Sequence, residues 1–144
     1  MDWGSDSLTD TLYLAWRSSH DPTIAATLEA LVGTTTHYPG PCRDLPCGRW
    51  SDVANWDAVA AAREYQATGQ KQSLVNAENA FYEIEGSPVY TGGACPGIRY
   101  QRPNGGPNDL KTLETDATAI KAALLLYNDT SQKTYLAIAQ RRYA

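Results

Sequence analysis

At 144 residues the chain has the length of one domain, enough to bury a modest core. Twelve Lys and Arg against sixteen Asp and Glu give a formal charge of −4 with no basic run, which argues against a nucleic-acid backbone as partner. No apolar stretch approaches membrane-spanning length, and the opening Met1-Asp-Trp-Gly-Ser-Asp lacks the basic and apolar regions of a signal peptide, so a mature extracellular chain is one expectation beside a cytosolic one.

Hydrophobic spacing predicts six helices. The first runs from about Asp6 to Ser18, with Leu8, Leu12, Ala15 and Trp16 recurring at helical intervals. Asp21 then offers an N-cap and Pro22 a first helical residue. The second helix carries Ile24, Leu28, Leu31 and Val32 on one face and closes at Gly33. Thr34 to Arg49 reads as a loop rich in Pro and Gly, where Cys42 and Cys47 flank four residues and form a disulfide candidate in an oxidising compartment. A zinc site fits less well, because the cysteine spacing matches no common finger and only His20 and His37 offer nitrogen.

The third helix follows Trp50 and runs to about Tyr65. Ser51 suits its N-cap, Asp52 lies in its first turn, and Trp56 shares a face with Val53 and Ala60. An acid there is stabilised by the helix dipole whatever else it does. An acid between two tryptophans also suits a sugar: rings stack on pyranose faces and a carboxyl acts on hydroxyls or on the glycosidic oxygen. After the turn Thr68-Gly69-Gln70, the fourth helix carries Leu74, Ala77, Phe81 and Ile84. A second loop, rich in Gly and Pro, reaches about Lys111. The fifth helix carries Leu113, Ala117, Ile120, Leu124 and Tyr127 on one stripe. Asp129-Thr130-Ser131 leads into the sixth, with Tyr135, Ile138, Ala139 and Tyr143.

The chain repeats itself. Tyr65 to Leu74 matches Tyr127 to Leu136 at an offset of 62, sharing Tyr, Thr, Gln, Lys and Leu, and Trp16 to Ile24 is a weaker third copy. Each copy is the tight turn of a helical hairpin. With helices alternating in direction, the tight turns share one end and the long loops the other. Asp6, Asp52, Glu114 and Asp116 then gather at the loop-rich end with Trp3, Trp50, Trp56 and Tyr100. Elaborate loops mark that end as the functional one. The expected fold is all-α: three antiparallel helical hairpins in a single domain over residues 1–144.

Three segments carry a resemblance. Trp50 to Tyr65 is similar to a Trp- and Ala-rich helix that follows paired aspartates. Gly93-Ala-Cys-Pro-Gly-Ile-Arg-Tyr-Gln101 is similar to a Gly-rich aromatic loop, and Leu110 to Ile120 to the helix start after it. Together, from about Arg49 to Ala144, the chain resembles the six-hairpin (α/α)₆ glycosidases, and most of all glycoside hydrolase family 76, the α-1,6-mannanases. The resemblance implies about half of an (α/α)₆ toroid, an α-mannan type polysaccharide or oligosaccharide as partner, and no cofactor or metal. It implies Asp52, Glu114 and Asp116 as the catalytic candidates, with Trp50, Trp56, Arg99 and Tyr100 binding substrate.

Two departures stand out. The family's catalytic pair is Asp-Asp, and here Ser51 precedes Asp52, so Asp57, Glu114 or Asp116 would have to supply the second carboxylate. Three hairpins are also half a ring, so the domain is a fragment or a protomer completed by other copies in a homo-oligomer. The alternative function is a non-catalytic carbohydrate-binding or self-assembling protein on the same fold.

Overall fold

The computed structural model describes residues 3–33, 51–85, 90–91, 97–98 and 111–144, with backbone alone at 3–6, 33 and 90–91. Six helices form among these residues: α1 (Trp3–Ser19), α2 (Pro22–Gly33), α3 (Ser51–Thr68), α4 (Lys71–Glu85), α5 (Leu113–Thr130) and α6 (Lys133–Tyr143). Between α4 and α5 lie two short strands, β1 (Tyr90–Thr91) and β2 (Gly97–Ile98), which pair antiparallel with Tyr90 opposite Ile98.

The three hairpin turns are one device built three times. The last helical residue is Ser19, Thr68 or Thr130, and its hydroxyl donates back to the carbonyl four residues earlier (Ala15, Glu64, Leu126) at 3.0, 2.8 and 2.6 Å. The same oxygen accepts the backbone N–H two residues ahead, from Asp21, Gln70 and Gln132. Between them His20, Gly69 and Ser131 take the left-handed conformation, at φ of 53°, 74° and 59°. Their N–H groups donate to the carbonyls of Trp16, Tyr65 and Tyr127. Carbonyls orphaned at a helix end are satisfied within the turn, and the chain reverses in two residues. Past the first turn, the Asp21 carboxylate accepts from Thr23 N–H at 2.7 Å, capping α2 with Pro22 at its first position.

The helices stack in two layers. At the starts of α3 and α5, Asn55 Nδ2 donates to the Thr115 carbonyl; at their ends, Gln66 donates to Asp129. These two helices are therefore parallel neighbours. In the second layer the Tyr135 hydroxyl donates to Glu78, and Arg141 and Arg142 donate to Glu85, so α4 and α6 are parallel too. α1 packs beside α3, and each even-numbered helix packs on its hairpin partner. α3 sits at the centre and is buried nearly all round, which its Ala54, Ala58, Ala60, Ala61 and Ala62 permit by letting neighbouring backbones come close. Val32, Val59, Phe81, Leu126 and Tyr135 fill the remaining space, with the Phe81 and Tyr135 rings edge to face at 5.6 Å.

The buried faces of α2, α4 and α6 are those the apolar spacing predicts, except that Tyr143 of α6 is 85% exposed, but those of α1 and α5 are not. α1 buries Thr9 and Tyr13, while Leu8 of its expected stripe is 49% exposed. α5 buries Thr115, Thr118, Ala119, Ala122, Ala123, Leu125 and Leu126; of its expected stripe, Leu113 is 87% and Leu124 40% exposed. Small residues and the adjacent Leu125 and Leu126 make the interior contacts of α5, Ile120 and Tyr127 of the expected stripe are partly buried against the core, and Leu113 and Leu124 look outward. Ser51 differs from expectation as well: it is the first residue of α3, fully buried, and its hydroxyl has no hydrogen-bond partner among the described residues.

Candidate functional site

The parallel starts of α3 and α5 build one polar junction. Ser51, Asp52 and Asn55 occupy a single turn of α3, since residues three and four apart are helix neighbours. All three are buried, Asp52 at 6% exposure. The Asn55 amide is oriented by its 3.1 Å bond to the Thr115 carbonyl. Across the junction, Thr112 caps α5 by accepting from Thr115 N–H, and the two threonine hydroxyls lie 2.7 Å apart.

Within that turn three side-chain atoms have no hydrogen-bond partner among the described residues: Ser51 Oγ, Asp52 Oδ1 and Asn55 Oδ1. A buried polar atom left unpaired costs about 1–3 kcal/mol, so three in one helical turn are a concentrated expense of stability. Burial pushes the Asp52 carboxyl above the ordinary carboxylate range; the backbone N–H groups of Val53 and Asp52 itself pull it back, and the negative charge of Glu114 raises it again. The junction therefore holds a carboxyl biased toward its protonated form, with an exposed carboxylate across from it.

Helical geometry separates the other acids from this pair. Asp116 lies two residues beyond Glu114, about 200° round the helix at 100° per residue. Its carboxylate faces β2 and α6 instead, accepting from Ile98 N–H at 3.3 Å and from Arg142 Nη1 at 3.3 Å. The Arg142 side chain is wholly buried and also pairs with Glu85, so Asp116 belongs to a part-buried ion cluster joining α4, α5 and α6. Gly97 is required there: a Cβ at that position would lie 2.7 Å from Asp116 Oδ2. Asp57 is buried and about 140° round α3 from Asp52, so it does not share Asp52's face.

Trp56 is half-buried against the core, one turn along α3 from Asp52. Lys121 Nζ sits 5.1 Å from its ring centre and donates to Asp10 at 2.5 Å. Asp10 also accepts from Arg63 at 2.9 Å, whose guanidinium lies 4.1 Å over Tyr13. Burial pulls the Asp10 carboxyl upward, but the hydrogen bonds of Lys121 and Arg63 outweigh it and hold the group below its usual value. α1, α3 and α5 are thus tied by an ionic bridge below the junction. Sequence reasoning missed this bridge and missed Asn55. The one available signal for Asn55 was a lone amide in a run of small apolar residues, one turn from Ser51. Trp50, Arg99, Tyr100, Cys42 and Cys47 lie outside the described residues. Among the described residues no group of His, Cys, Asp and Glu is arranged to hold a metal ion, and no helix is long and apolar enough to cross a membrane.

No family model and no curated protein sequence matches the chain. Solved structures do. The Lin0763 protein from Listeria innocua superposes with a TM-score of 0.78 over 98% of this chain at 21% identity. The GH76A α-1,6-mannanase from Salegentibacter sp. HEL1_6 superposes with a TM-score of 0.78 over 98% at 18% identity. The chain spans 38% of the length of the first and 39% of the second. Three stacked helical hairpins of this kind are the fold that the chain shares with part of a glycoside hydrolase toroid.

Proposed function

We propose that this chain is a glycoside-hydrolase-like domain acting on an α-mannan type polysaccharide outside the cell, with its chemistry at the start of α3. The observation that carries the reading is Asp52: a buried carboxyl with a raised pKa and an unpaired oxygen, within the electrostatic reach of a second carboxylate, Glu114. The likeness to a mannanase structure supports the choice of substrate.

In this reading Asp52 is the general acid. Burial raises its pKa and so favours the form that can protonate the glycosidic oxygen, and Glu114, exposed at the surface, serves as nucleophile or as the base that activates water. Asn55 Oδ1 and Ser51 Oγ bind sugar hydroxyls beside it. Trp56 offers an apolar ring one turn away. Asp116, held by Arg142, positions β2 rather than touching substrate.

The test is release of reducing ends from α-1,6-linked mannan by the intact chain and by Asp52→Asn. We expect cleavage by the parent chain, a fall of about 100- to 10,000-fold in the variant, and an unchanged helical circular dichroism spectrum. Turnover that survives the substitution removes Asp52 from the chemistry. Absence of both cleavage and mannan binding by the parent chain overturns the functional reading.

A further inference from the structure

The three turns set the hairpins in register. Trp16, Tyr65 and Tyr127 each accept from the left-handed residue that follows, so equivalent positions differ by 49 between the first two hairpins and by 62 between the last two. On this register Thr9, Ala58 and Ile120 are one position; so are Tyr13, Ala62 and Leu124, and so are Val32, Phe81 and Tyr143. In each set the first two members are buried beneath the following hairpin. The third is not: Leu124 is 40% and Tyr143 85% exposed. With Leu136, Ala139 and Gln140 these residues line an open apolar groove of about 200 Å³ between α5 and α6.

The opposite flank shows the complementary half. Leu8, Asp57 and Ala119 are one position, as are Thr11, Ala60 and Ala122, and Ala15, Glu64 and Leu126. The α3 and α5 members are all buried, whereas Leu8, Thr11 and Ala15 are all exposed on α1. The middle hairpin is therefore covered on both flanks, and the outer two each bare one half of the same repeated interface. Leu8 of α1 and Leu124 of α5, which look outward, lie along these two flanks.

We infer that the occupant of the α5/α6 groove is the α1/α2 hairpin of a second copy of this chain, seated as α5/α6 seats on α3/α4. Within the chain the seat is made by Tyr135, which packs edge-on against Phe81 and donates to Glu78 at 2.9 Å. Ile24 holds the position of Tyr135 in the first hairpin, and Tyr143 and Gln140 hold those of Phe81 and Glu78. The contact is mainly apolar, with Leu8 and Ala15 on one side and Leu124, Leu136 and Tyr143 on the other, and it joins different patches of the two copies, which makes it heterologous. Such contacts close a ring where the rotation per copy allows and otherwise grow a filament.

The experiment is mass in solution by light scattering and sedimentation over a concentration series, for the chain and for Leu8→Lys and Tyr143→Lys. Both positions are exposed, so the substitutions leave the fold intact, and far-UV circular dichroism verifies it. We expect the chain to be a particle of two or more copies that dissociates on dilution. Each variant alone weakens association at least tenfold. An equimolar mixture of the two regains a two-chain particle, because one undamaged contact remains between them. A helical chain that stays monomeric at the highest concentration overturns the inference. So does an assembly lost in Tyr143→Lys but kept in Leu8→Lys, which would set groove against groove, and so does one that both variants keep.

Discussion

Asp52 is held in a way that works against the fold. Its folded pKa is raised chiefly by burial. The sign of the linkage follows: its contribution to stability is whole below the unfolded carboxylate value of about 4 and is lost as pH rises through the folded value. Asp52→Asn should therefore be more stable than the parent chain at pH 7. A gain of about 1–3 kcal/mol is expected, the cost of one buried unpaired group. At roughly 2–4 °C per kcal/mol for a domain of this size, thermal unfolding should shift upward by several degrees, and the gain should fade as pH falls toward 4. An equal or lower melting point at pH 7 would show that the carboxylate is satisfied after all. Glu64 and Asp129, both raised by burial, have the same sign, whereas the stability that Asp10 provides is present at neutral pH and lost in acid.

At the scale of the elements, the turns decide the fold and also expose its weakest choices. The left-handed site is filled by glycine only once, at Gly69; His20 and Ser131 occupy it with a Cβ. A non-glycine residue there costs about 1–2 kcal/mol. Ser131→Gly should raise stability by about 1 kcal/mol. Gly69→Ala should lower it by a similar amount, and by backbone strain alone, because a Cβ at Gly69 meets nothing within 4 Å. Chemical denaturation of both variants checks the pair, and shifts of the same sign would contradict it. These turns were legible in the sequence because Tyr65-x-x-Thr and Tyr127-x-x-Thr name the accepting carbonyl and the donating hydroxyl directly. The faces of α1 and α5 were not. Spacing reports where large apolar residues lie, whereas α5 buries Ala119, Ala122 and Ala123 beside Leu125 and Leu126, and Leu113 and Leu124 of its expected stripe point outward. The grouping of acids also needed three dimensions. Glu114 and Asp116 are neighbours in sequence, yet one influences Asp52 while the other is bound to Arg142.

For the whole molecule, the parallel odd-numbered helices gather their N-termini at one end, and that end holds every unpaired atom of the Ser51, Asp52 and Asn55 turn. What those atoms lack has a direction. Asn55 donates to Thr115, so its remaining oxygen can only accept. A complementary ligand must bring a hydrogen to it. An alcohol does; a sulfate or an ionised carboxylate does not, and the negative charge of Glu114 repels them further. The junction is in this sense a filter for proton-bearing neutral solutes over anions. A thermal-shift series can read the selection without knowledge of the natural ligand, since binding to the folded state alone raises the melting point. Neutral mannose oligomers should raise it and inorganic sulfate should leave it unmoved, and the reverse order would mean that the polarity of the junction has been read backwards.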